Sequence, residues 1–79
     1  MTAGQVTLYT TPTCPYCVKA KRFLMENGIP FKEVDLTVDV QEQETVYRAT
    51  GMLAVPQFNI DGRWIVGFDP VQILQYVKS

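Results

Sequence analysis

The hydrophobic pattern changes its period twice between the start of the chain and Leu36. Val6 and Leu8 alternate with polar residues, which predicts a short strand near residues 5–10. From Pro15 to Asn27 the apolar residues recur on one helical face, and a second strand is predicted from Phe31 to Leu36. A strand, a helix and a strand so close together imply a right-handed crossover between two parallel strands. This β-α-β unit is the strongest constraint on the fold.

The second half of the chain predicts a helix, a hairpin and a final helix. Asp39 and Glu42 have the spacing of a capping box at the start of the second helix. Asp61-Gly62 between two apolar runs is a strong signal for a tight β-hairpin, and Pro70 suits the first position of the last helix. The sequence therefore predicts an α/β fold of order β-α-β-α-β-β-α, with a four-stranded mixed sheet flanked by three helices.

Length, composition and charge limit the classes of function. With 79 residues, 47% of them hydrophobic, the chain is predicted to form a single domain over residues 1–79. The net charge of −1 predicts no binding to nucleic acid. The longest apolar run, Met52 to Val55, is far shorter than the roughly 20 residues of a membrane span, and we expect a cytoplasmic protein. The absence of histidine excludes a Ser/His or Cys/His triad and a His-ligated zinc site.

The two cysteines, Cys14 and Cys17, lie three positions apart where the first strand leads into the first helix. A disulfide between them would close too small a loop to stabilise the fold. The first helical turn offers unpaired N–H groups and the positive end of the helix dipole, which favour a thiolate at Cys14. We expect this sulfur to accept hydrogen bonds from the N–H groups of Tyr16 and Cys17. Cys17, one turn inside the helix, is expected to be less exposed and to act as the resolving thiol.

The residue pattern leaves more than one use for these thiols. They would form half of a four-thiolate metal site only with ligands from a second chain or another molecule, because the chain has no third cysteine. They would also be compatible with a pair of inert buried thiols. A Cys-x-x-Cys motif between a strand and a helix of a β-α-β unit favours a thioredoxin-like redox site over both.

Several segments of the chain resemble the glutaredoxin family. They are Leu8-Tyr9-Thr10, Thr13-Cys14-Pro15-Tyr16-Cys17, Ala20-Lys21 and Val55-Pro56-Gln57. The resemblance covers residues 5 to 78 and implies a thioredoxin-like fold in which the sheet order is second, first, third and fourth strand. It also implies a cis peptide bond before Pro56, which would face the cysteines. The backbone of Val55 would then pair with an extended substrate in the manner of a β-strand.

The same resemblance implies a set of site residues. Cys14 and Cys17 are the catalytic pair, and the positions that bind substrate or glutathione are Thr11, Tyr16, Val55, Pro56, Gly67, Phe68 and Asp69. Thr11 stands where members that use glutathione typically carry a basic residue. The stretch from Val66 to Pro70 lacks one glycine and the last acidic residue of their pattern, and it resembles the redoxins that serve ribonucleotide reductase.

As a family member, the chain would be a monomeric dithiol–disulfide oxidoreductase that reduces disulfides in proteins or small molecules, with no metal and no bound cofactor. Its electrons would come from glutathione as a co-substrate or from a flavoenzyme of the thioredoxin-reductase type. The second source would fit a dedicated electron donor to ribonucleotide reductase. The competing hypothesis is a dimer that carries an iron–sulfur cluster through Cys14 of each chain and two glutathione molecules. Pro15 disfavours it, because a small flexible residue at that position eases cluster formation in the family.

Three further predictions concern side chains near this site. Phe68 is either a core residue or the apolar rim of a substrate groove. Lys19, Lys21 and Arg22 form a basic cluster that is either a solvated face or a means of attracting acidic partners. The acidic residues between positions 33 and 44 are interpreted as a solvated face.

Overall fold

Strands and helices follow one another in the order that the hydrophobic pattern predicts. The computed structural model describes residues 5–78, so both ends of the predicted domain, residues 1–4 and 79, lie outside the described residues. The elements within residues 5–78 are β1 (Val6–Thr10), α1 (Pro15–Glu26), β2 (Lys32–Asp35), α2 (Val40–Thr50), β3 (Gln57–Ile60), β4 (Arg63–Val66) and α3 (Pro70–Lys78). The predicted order β-α-β-α-β-β-α is confirmed. No helix in this range is long and apolar enough to cross a membrane.

The sheet has the order β2-β1-β3-β4, as the resemblance implied. β1 runs parallel to β2, with Tyr9 opposite Val34, and antiparallel to β3, with Leu8 opposite Phe58. β1 is therefore a central strand, and its carboxyl end leads directly into the cysteine motif. β2 is shorter than the strand predicted from Phe31 to Leu36, since it begins at Lys32 and ends at Asp35. The inward side chains Val34 and Leu36 are buried as predicted.

Within residues 5–78 the core consists of two clusters, one on each face of the sheet. The larger cluster contains Val6, Leu8, Ala20, Leu24, Ile29, Phe58, Ile60, Ile65 and Ile73. The smaller cluster contains Tyr9, Val34, Leu36 and Val46. Neighbouring residues of β1 enter different clusters because successive side chains of a strand point to opposite faces. β1, the strand that leads into the cysteine motif, is thus fixed by packing on both sides.

A hairpin turn and a helix cap show how local sequence sets the path of the chain. Asp61 and Gly62 both have positive φ, at 54° and 87°, as a type I′ hairpin turn requires. The predicted capping box of α2 is only half formed. Asp39 Oδ1 accepts a hydrogen bond from Glu42 N at 3.1 Å, but the Glu42 carboxylate does not return to Asp39. It accepts instead from the hydroxyl of Tyr9 at 3.3 Å, because that buried hydroxyl needs a partner.

The Tyr9 hydroxyl should make the protein less stable in alkali. Burial, followed by the charge of Glu42, raises the pKa of Tyr9 from 10.0 to about 12. Between these values the unfolded chain loses a proton that the folded chain keeps, so the free energy of unfolding falls as pH rises from about 10 to about 12. Tyr9→Phe should flatten this fall in urea unfolding followed by circular dichroism. Tyr47→Phe, an exposed change on α2, is the control, and an unaltered slope in Tyr9→Phe would contradict the assignment.

Candidate active site

Cys14 is the N-cap residue of α1 and directly precedes the first helical residue, Pro15. Its backbone is extended, and its Sγ accepts a hydrogen bond from the backbone N–H of Cys17 at 3.2 Å. The expected second bond, from Tyr16 N–H, is absent from the described hydrogen bonds, and that prediction was wrong. A side chain at this position reaches the N–H of either the second or the third helical residue, and here it reaches the third. The Cys14 side chain is half-buried, so its sulfur is directed at a helix start and still open to solvent.

Cys17 is 2% exposed, in keeping with the prediction that it is the less accessible thiol. Burial is the first cause that raises the pKa of Cys17, to about 12, and a hydrogen bond to the Cys14 sulfur is the second. A backbone hydrogen bond from Thr11 acts in the opposite direction, while the negative charge of Glu33 adds to the rise. The two sulfurs therefore differ in access, and burial makes the Cys17 thiol hard to ionise.

A cavity of about 170 Å³ lies beside both cysteines and is lined in part by charged residues. Among them, Glu33 accepts a hydrogen bond from Thr10 Oγ1 at 3.0 Å and pairs with Lys21 Nζ at 3.3 Å, both at Oε2. The interpretation of this acidic segment as only a solvated face was therefore wrong for Glu33. The missed signal is its place on β2, which pairs in parallel with β1 and sets Glu33 opposite Leu8, two residues before Thr10.

A second acidic residue, Asp35, also lines this cavity. The hydroxyl and the N–H of Thr37 donate to Asp35 Oδ1 and lower the pKa of that carboxyl. Asp35 thus keeps its negative charge in the lining of this cavity. Of the predicted binding residues, Thr11 lines the same cavity.

Tyr16 is 59% exposed, and the ammonium group of Lys19 lies 5.0 Å from the centre of its ring. Two residues of the predicted basic cluster are therefore engaged, since Lys21 pairs with Glu33. Their positive charge is partly satisfied within the chain.

The segment before β3 holds the next predicted site residues. The Val55–Pro56 peptide bond is cis, as the resemblance implied. Pro56 is buried, and its carbonyl accepts a hydrogen bond from Gly67 N at 2.9 Å. Neither the N–H nor the carbonyl of Val55 has a hydrogen-bond partner within residues 5–78. These two groups form a short unpaired backbone edge. That Pro56 faces the two sulfurs stays a prediction.

The last two predicted residues lie apart from the cavity. Phe68 packs edge-to-face against Phe23, with ring centres 5.6 Å apart, and contacts the larger core cluster. Phe68 is half-buried at the edge of that cluster, and its predicted role as the apolar rim of a substrate groove stays a prediction. Asp69 Oδ1 accepts a hydrogen bond from Gln72 N at 3.2 Å and caps α3.

The model of the glutaredoxin family matches residues 6–65 of the chain. The chain belongs to the glutaredoxin family. Members of this family are in general thiol–disulfide oxidoreductases with a thioredoxin-like fold. Among residues 5–78 no group of three or more acidic or cysteine side chains lies close enough to hold a metal ion.

Individual relatives agree with this assignment. A glutaredoxin-like 8.6 kDa protein in the rubredoxin operon of Clostridium pasteurianum is 40% identical over 74 residues, which span 94% of this chain and 99% of that protein. Glutaredoxin 3 of Escherichia coli is 36% identical over 71 residues, or 90% of this chain and 86% of that one. The solved structure of NrdH-redoxin from Escherichia coli, described as a glutaredoxin-like protein with a thioredoxin-like activity profile, has a TM-score of 0.81 at 25% identity and covers 90% and 92% of the two chains.

Proposed function

We propose that the protein reduces disulfides through a dithiol mechanism in which Cys14 attacks and Cys17 resolves. The supporting observation is the pairing of a half-buried sulfur at the start of α1 with a buried thiol in its first turn. The Cys14 thiolate attacks one sulfur of the substrate disulfide, forms a mixed disulfide and releases the other sulfur as a thiolate that takes up a proton. Cys17, after losing its proton, attacks the Cys14 sulfur. The second substrate thiol leaves, and two electrons have passed from the protein to the substrate.

The unpaired backbone edge at Val55 supports an extended peptide as the substrate. An extended segment with a free N–H and a free carbonyl adds a strand by main-chain hydrogen bonds, which do not depend on the partner's sequence. The exposed ring of Tyr16, next to Cys14, offers an apolar contact to the same partner. The substrate class is therefore a disulfide in a flexible or extended protein segment. We propose that the protein binds it as a monomer and carries no metal or bound cofactor.

The electron donor that we propose is a flavoenzyme of the thioredoxin-reductase type rather than glutathione. Thr11 offers no cation to a glutathione carboxylate, and Asp69 is engaged as the cap of α3. A charge-assisted hydrogen bond contributes about 1.5–3 kcal/mol, so the loss of two would weaken a glutathione complex by about a hundredfold or more. A role as electron donor to ribonucleotide reductase is a narrower hypothesis of the same class.

Turnover with the two donors side by side tests this choice. The oxidised protein should be reduced slowly by glutathione, recycled by glutathione reductase and NADPH, and faster by thioredoxin reductase with NADPH. NADPH consumption at equal protein concentration measures both rates. Thr11→Lys restores a cation beside the cysteines and should speed the glutathione reaction alone. Fast, saturable glutathione kinetics without any response to the flavoenzyme would contradict the proposed donor.

The visible spectrum of freshly purified protein separates the oxidoreductase from the cluster carrier. We expect a colourless sample that elutes as a monomer in size-exclusion chromatography. A brown dimer that loses its colour when glutathione is removed would support the cluster carrier instead.

A further inference from the structure

Gln57, the first residue of β3, is a fully buried polar side chain. Its amide nitrogen donates to the carbonyl of Met52 at 2.9 Å and to the carbonyl of Ala54 at 2.8 Å. Because both partners are carbonyl oxygens, only the nitrogen of the amide can make these bonds. Its Oε1 is buried without a hydrogen-bond partner in the described part of the chain. A buried acceptor without a partner costs stability, so the core alone would favour an apolar side chain of the same size.

The segment that Gln57 holds is the one that leads to the unpaired edge at Val55. Residues 52–54 are exposed and belong to no helix or strand. The Thr50 hydroxyl lies 3.3 Å from Met52 N, from which it accepts, and 3.2 Å from the Met52 carbonyl, to which it donates. The Gln57 amide provides the other polar anchors of this segment, at the carbonyls of Met52 and Ala54. The Val55 side chain packs against the smaller core cluster.

The anchored carbonyls follow a regular spacing along the segment. The carbonyls of Met52 and Ala54 accept from Gln57, and the carbonyl of Pro56 accepts from Gly67 N at 2.9 Å. A period of two is that of an extended chain. Fixing alternate carbonyls in this way leaves the N–H and carbonyl of Val55 as the groups that a substrate strand can use.

We propose that Gln57 is a positioning residue for disulfide reduction, which holds residues 52–55 so that the Val55 backbone can pair with an extended substrate. This inference rests on the proposed function. Gln57 acts on substrate binding through the Val55 segment and takes no part in the sulfur chemistry. Its loss should therefore affect a peptide disulfide, which can form backbone hydrogen bonds, and spare a small disulfide, which cannot.

Gln57→Met tests this proposal, because methionine keeps the length of the side chain and removes both donors. The KM for a peptide disulfide should rise about tenfold, while kcat changes by less than about twofold. Steady-state reduction of 2-hydroxyethyl disulfide and the rate of Cys14 alkylation by iodoacetamide should stay within about twofold of the wild type. Asn59→Ala is the matched control, since it removes the 2.8 Å bond from Gly62 N at the far end of the same strand.

Each result bears on one claim. An unchanged KM for the peptide, or equal losses with the peptide and the small disulfide, would overturn the role of Gln57. A wild-type protein that reduces neither disulfide would instead defeat the proposed function. If Gln57→Met does not fold, Gln57→Asn takes its place, because its amide is one methylene shorter and loses its reach to the carbonyls of Met52 and Ala54. Its KM for the peptide disulfide should then rise while the small disulfide is unaffected, and an unchanged peptide KM would overturn the proposal.

Discussion

Cys14→Ser is expected to reduce disulfide reduction to the background rate, whereas Cys17→Ser should still attack and then stop as a mixed disulfide. A serine hydroxyl is a weak nucleophile without a neighbouring base, and the chain contains no histidine to activate one. The half-buried Cys14 sulfur can meet a substrate, but the buried Cys17 sulfur is placed to meet only its neighbour. Turnover of a peptide disulfide by each variant, measured by release of free thiol, gives the comparison.

Mass spectrometry of the intact protein distinguishes the two cysteine roles. Cys17→Ser mixed with the peptide disulfide should gain the mass of one peptide thiol, and a reductant should remove it. Cys14→Ser should gain no such mass. Thr13→Ala, a change at an exposed neighbour of Cys14, is the control and should turn over like the wild type. An inactive Cys17→Ser together with an active Cys14→Ser would reverse the assignment.

Local sequence was enough to predict the features that depend on nearby residues. The β-α-β unit, the Asp61-Gly62 hairpin and the placement of Cys14 before α1 follow from periodicity and turn chemistry within a few positions. The cis bond before Pro56 was available only from the resemblance to a family, because nothing in the local pattern distinguishes it from a trans bond.

Long-range contacts explain what the sequence could not predict. Glu33 meets Lys21 and Thr10 only after β2 has paired with β1, and its charge then lies in the cavity beside Cys17. The two bonds from Gln57 likewise depend on the path of a segment with no regular structure. The half-formed capping box has the same origin, since the hydroxyl of Tyr9 on β1 reaches Glu42 on α2.

The rate at which Cys17 resolves a mixed disulfide should rise about tenfold for each pH unit between about pH 7 and pH 9, since its pKa lies above this range. Burial is the first cause that raises the pKa of Cys17, to about 12, in the reduced protein. In the mixed disulfide the Cys14 thiol is consumed, so its hydrogen bond and charge no longer contribute, but burial and the charge of Glu33 remain. Because only the thiolate attacks, and its fraction rises with pH below the pKa, resolution speeds up in alkali.

Stopped-flow release of a chromogenic thiol from a preformed mixed disulfide would measure this step alone. Glu33→Gln removes a negative charge near Cys17, and the Lys21 ammonium freed from its 3.3 Å ion pair acts in the same direction. Glu33→Gln should therefore resolve the mixed disulfide a few fold faster than the wild type at the same pH. Glu44→Gln, which breaks an exposed ion pair with Arg48 on α2, should leave the rate unchanged. A rate that is already constant between pH 7 and pH 9 in the wild type would show that the buried Cys17 thiol is not what limits resolution.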